Sequence, residues 1–215
     1  MDQSRTGAWA GIVGPVLFVT TFLLEGWLRP GYDPLADYVS ALSLGPRGWT
    51  QIANFVVVGA CLLLFSRAVT LAFPSGRASR VGPVLLAIVA LGYLLSGPFA
   101  MDPAGTAPTA MSPHGLTHGI LGGIVFTLMP VVCLVFLRRF AVDPIWRSLY
   151  LPTLIATLVI GAAVIVLSLT TKVPALIETY RPWAGLIQRS AIMPFMAWIV
   201  VFAVGLLLRL APTPA

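Results

Sequence analysis

His114 and His118 stand four residues apart, directly after Ser112 and Pro113, so both imidazoles fall on one face near the start of a helix. Two histidines one helical turn apart are a common half of a zinc site. Without metal, the same pair orients an acid or takes a proton back from a substrate. Asp37 and Asp102 lie in the polar segments nearby. A carboxyl kept protonated by a dry site can deliver a proton to an apolar molecule, so Asp37, Asp102, His114 and His118 form the candidate catalytic set.

Arg189 falls about one turn inside an apolar run, where a charge is costly unless it is paired or reaches the headgroups. Its expected partner is Asp37 or Asp102. Aromatic faces stabilise a cationic intermediate, and Trp49, Phe55, Phe99, Tyr180 and Trp183 adjoin the polar segments. With Glu25, Ser40, Gln188 and Arg189 they make up the candidate substrate-binding set. An ion-pair network of Asp37, Asp102 and Arg189 that merely clamps three connections together is the competing structural role.

These residues must be positioned by membrane helices. The sequence is 58% hydrophobic and 9% charged, a composition that excludes a water-soluble domain. Continuous apolar runs predict six spans, at about Trp9–Leu28, Ile52–Phe73, Val81–Ala100, Gly115–Leu137, Trp146–Leu169 and Leu186–Leu210. The expected fold is therefore all-α, a single membrane bundle occupying residues 1–215. Unbroken runs are not the alternating segments of a membrane barrel. The first span has no basic leader or small-residue cleavage site, and it reads as a retained helix.

Arginines dominate the second and fourth connections and both ends, whereas five of the seven acids fall in the first, third and fifth connections. That asymmetry predicts cytoplasmic termini in a cell-membrane protein, with the acidic connections outside. The net charge of +6 is scattered singly at helix ends, which points to lipid headgroups and away from nucleic acid. Asp33, Pro34 and Gly45 predict a short interfacial helix after the first span. Gly122 leaves space beside the imidazoles, while Gly115, Gly119 and Gly123 have the small-xxx-small spacing of helix packing, within the chain or between copies of it. Cys61 and Cys133 sit inside spans as small apolar residues.

Four features in this order resemble the DUF998 family of bacterial six-helix membrane proteins. They are the Asp37–Leu44 stretch with its Ser-Ala-Leu core, the Asp102-Pro103 pair, His114-Gly115, and Gly185-Leu186 followed by Arg189. The resemblance implies a six-helix fold with a polar site at one face, and no reaction. From the residues themselves, the expected function is a membrane-embedded enzyme on a lipid-like or isoprenoid substrate, by proton-initiated cyclisation or isomerisation without a cofactor. A zinc-dependent lipid hydrolase using His114, His118 and Asp102 is the second reading, and a non-enzymatic sensor or assembly subunit the third.

Overall fold

A computed structural model describes residues 3–210; the extreme ends assigned above to the cytoplasm lie outside the described residues. No strand occurs among the described residues. The α-helices are α1 (Gln3–Leu28), α2 (Gly48–Ala72), α3 (Val81–Ser96), α4 (Pro113–Phe140), α5 (Tyr150–Lys172), the short α6 (Pro174–Tyr180) and α7 (Ala184–Leu210). Five helical stretches are long and apolar enough to cross a membrane, and α3 is equally apolar but has only 16 residues. Pro15, Pro130 and Pro194 sit inside α1, α4 and α7, as membrane helices tolerate.

The long helices form a ring in which α1 packs on α2, α2 on α3, α3 on α4, α4 on α5, α5 on α7, and α7 back on α1. One end of the ring is filled by large rings. Phe136 and Phe202 stack edge-on at 4.9 Å, and Phe73 and Trp146 at 4.7 Å. Arg139 and Arg209 cover this plug, their guanidinium carbons 4.1 Å from the Phe73 ring and 4.4 Å from the Trp146 ring. At this basic end Arg139 also ties Ser75 and Arg77 carbonyls to α4.

The other, polar end departs from expectation in two places. Helix α3 stops at Ser96, short of the expected Ala100, because Gly97 precedes Pro98 and the proline ring disfavours helical backbone before it. The segment after α1 is not one interfacial helix but a turn at Pro34–Asp37 followed by a 3₁₀ helix, Val39–Ser43. Asp33 does start that turn, accepting from the Leu35 N–H at 2.8 Å, while its own N–H donates to Asp37 Oδ2 at 2.9 Å. Beyond it, α7 captures the groups that a continuing helix would use for itself.

Arg189 Nη1 donates to the carbonyls of Pro34 at 2.6 Å and Asp37 at 2.9 Å, and the Val39 N–H donates to Gln188 Oε1 at 2.8 Å. The other guanidinium nitrogen, Nη2, donates to the Tyr32 hydroxyl. Burial pushes the Tyr32 phenol above its ordinary pKa, against the pull of Arg189, so the hydroxyl stays neutral. It reaches the Tyr38 carbonyl at 3.1 Å. Gly185 makes the approach possible, since a Cβ there would collide with the Asp37 carbonyl. The expected Arg189 ion pair with Asp37 or Asp102 is thus replaced by bonds to main-chain oxygens, which suit a planar fork of donors.

Removing the fork should therefore be costly whatever the charge state of the acids. Arg189→Leu is expected to lower stability in detergent by about 3 kcal/mol or more, since several charge-assisted bonds at roughly 1.5–3 kcal/mol each are lost. Adding Asp37→Asn should recover none of it. A recovered melting temperature in the double variant would restore the ion pair.

Candidate functional site

At the polar end the ring is open to one side. A cavity of about 390 Å³ opens between α4, α5, α7 and the segment after α1, a size typical of small-molecule sites. Its α4 wall is Gly119, Gly122 and Gly123, and a Cβ built on any of the three meets nothing within 4 Å. These glycines do not bring helices together within the chain as the small-xxx-small spacing predicts; they leave one wall without side chains. Phe126 and Leu167 continue the apolar lining. Ser40, His118 and Gln188 border both this cavity and a smaller inner chamber of about 40 Å³, which Phe55, Tyr93 and Ser96 also line.

The local structure explains why His118 faces this space. Ser112 caps α4, accepting from the Gly115 N–H at 3.0 Å, with Pro113 in the first turn. Asp102 fixes the cap, accepting from the Ser112 N–H at 2.8 Å and the Ser112 hydroxyl at 2.7 Å, and it packs where a Cβ on residue 115 would lie. One turn on, His118 Nδ1 lies 2.8 Å from the Phe99 carbonyl, and His114 Nδ1 lies 3.2 Å from the Pro98 carbonyl. A carbonyl only accepts, so each Nδ1 carries a proton. The two imidazoles thereby satisfy main-chain oxygens freed where α3 ends.

Of the residues singled out from the sequence, Ser40, Asp102, His118 and Gln188 border the main cavity, and Phe55 the inner chamber. His114 is exposed, with the Phe99 ring 5.5 Å away. Asp37 turns its carboxylate to the Asp33 N–H, and Arg189 serves the Pro34–Asp37 turn; neither borders the cavity. Glu25 pairs with Arg47 at 2.6 Å and with Arg29 at 3.6 Å, binding the end of α1 to the start of α2. Trp49, Tyr180 and Trp183 are exposed and away from the cavity. The zinc set is not assembled: among the described residues no three of His, Cys, Asp or Glu are grouped to hold a metal, and Ser112 occupies both Asp102 oxygens.

Several lining residues escaped the sequence reading, including Tyr38, Tyr93, Thr171 and Lys172. Tyr93 is buried with its hydroxyl unpartnered. Lys172, the last residue of α5, is the only lysine in the chain, a signal that was available in the sequence.

The fold and the site define a multi-pass helical membrane protein with a polar-rimmed cavity at one end. The chain belongs to the family described as protein of unknown function (DUF998), whose model matches residues 12–205. No curated protein and no solved structure matches it.

The Asp102–Ser112 pair is a structural cap, so its two halves should be redundant in their loss. Asp102→Ala and Ser112→Ala are each expected to lower stability by about 1–2 kcal/mol, and the double variant by little more than either alone. Thermal unfolding in detergent measures this. Strictly additive losses would separate Asp102 from the cap.

Proposed function

We propose that this protein is an acid/base enzyme acting on an amphipathic, lipid-like molecule held in the cavity, with His118 as the group that moves the proton. The observation that carries this reading is the position of one imidazole. His118 is anchored through Nδ1 to the Phe99 carbonyl and borders the cavity beside Ser40 and Gln188, a ring held in place at the cavity wall. The six long helices are read as spans, with the cavity in the leaflet on the outer side.

Histidine is favoured over the aspartates because each carboxylate already serves the backbone, Asp102 at Ser112 and Asp37 at Asp33. A neutral imidazole removes a proton next to an activating polar group more readily than it protonates an isolated double bond. Isomerisation therefore fits better than the proton-initiated cyclisation expected from the sequence. The buried Ser40 hydroxyl and Gln188 amide are placed to hold that polar group.

Proton transfer at carbon leaves an isotopic record. Purified protein incubated in D2O with the lipids that co-purify with it should place deuterium on one of them, as read by mass spectrometry. His118→Ala should slow the exchange about 10²- to 10⁴-fold while still retaining the lipid. Gly122→Leu, whose Cβ meets nothing within 4 Å and whose longer side chain enters the cavity, should lose the lipid itself. Retention of lipid without any exchange in the unmodified protein would make it a carrier or sensor. For orientation, a cysteine at Thr106 should react with an impermeant thiol reagent on intact cells; reaction only after lysis would place the cavity on the cytoplasmic side.

A further inference from the structure

The polar rim of the cavity is biased towards donors. Lys172 borders it and forms no ion pair among the described residues, where Glu25, Asp143 and Glu178 take arginines. Gln188 is 9% exposed, and with Oε1 accepting from the Val39 N–H its amide NH2 finds no partner among the described residues. Ser40 is 7% exposed and contributes a second buried donor. The one carboxylate on the rim, Asp102, accepts two bonds from Ser112 at the start of α4, where the helix dipole offsets its charge. Lys172 itself lies at the carboxyl end of α5, which favours a cation there, but no carboxylate pairs with it among the described residues, and an ammonium beside buried amide and hydroxyl donors suits an anionic acceptor.

From this arrangement we infer that the ligand is an anionic single-chain amphiphile, with its carboxylate or phosphate head between Lys172 and Gln188 and its chain along Gly119, Gly122 and Gly123. The inference rests on the lipid-cavity reading above and specifies the head that reading leaves open. From Gly115 to Thr127 the lining descends twelve residues of α4, about 18 Å at roughly 1.5 Å per residue, which accommodates an extended chain. The side-chain-free wall gives that chain its width. A flexible ammonium at the mouth can follow heads of different size, which a rigid guanidinium fork does less readily.

Equilibrium binding in a non-ionic detergent tests the assignment with four labelled probes of the same chain length: palmitate, palmitoyl lysophosphatidic acid, palmitoyl lysophosphatidylcholine and monopalmitoylglycerol. The two anions should bind about tenfold or more tighter than monopalmitoylglycerol, and the tighter of the two identifies the head as carboxylate or phosphate. Lys172→Glu, at an exposed position, should erase that preference while leaving monopalmitoylglycerol within about threefold, and Lys172→Arg should keep most of it. Equal affinity for charged and neutral probes, tightest binding of the phosphatidylcholine probe, or a preference that survives Lys172→Glu would overturn the anionic assignment and leave the lipid cavity standing. Failure of all four probes to bind above the level of Gly122→Leu would overturn both.

Discussion

A guanidinium buried among helix ends needs oxygens for its N–H groups, and both terminal nitrogens of Arg189 find them in the Pro34 and Asp37 carbonyls and the Tyr32 hydroxyl, while Nε has no partner among the described residues. The rest of the polar end follows from that requirement. With those carbonyls turned to Arg189, the segment after α1 leaves the turn and runs into the 3₁₀ stretch that carries Ser40 to the cavity rim. The neighbouring Gln188 holds the Val39 N–H and so enters the same rim. Gly185 is the steric condition for all of it, since any side chain there would hold the loop away from α7. Three residues within one turn and a half of α7 thus bind the segment after the first helix to the start of the last one.

The interior of the helix ring is divided by side-chain size. Phe73, Phe136, Phe140, Trp146 and Phe202 close it at the basic end, where aromatic faces also receive Arg139 and Arg209. At the polar end α4 offers glycine at three positions facing the gap, and no side chain from α5 or α7 fills it. Close packing is the rule in protein interiors, so a gap bordered by histidine, glutamine and serine is a departure that selection for packing alone does not produce. The same helix therefore plugs the ring with Phe136 and Phe140 and opens it with Gly122.

The helices were legible from hydropathy because a bilayer demands long apolar runs, and the cap at Ser112-Pro113 was legible from local chemistry. Partners were not. Sequence offers Arg189 two nearby acids, yet the fold gives it carbonyls, because a main-chain oxygen leaves no trace in residue identity. Asp102 and Asp37 looked like acids awaiting a substrate and serve as caps, as aspartates near proline and serine often do. The role of Gly122 beside the imidazoles was readable from the four-residue step, but Gly119 and Gly123 carried a packing signature and, within the chain, line open space. Lys172 was passed over because one basic residue after an apolar run looks like every other helix end.

Helix α3 has one more consequence when the ring is taken as six spans. Its 16 residues rise about 24 Å, against roughly 30 Å of hydrocarbon in a typical bilayer, while α4 on one side and α2 on the other are longer. Val84, Ile88 and Leu91 are exposed along it, so lipid meets this shorter face directly. In such a ring the acyl chains beside α3 would shorten or tilt, dimpling the leaflet next to the Gly97–Met101 turn. Such a dimple would make the protein sensitive to bilayer thickness, with thin membranes holding it under less strain than thick ones.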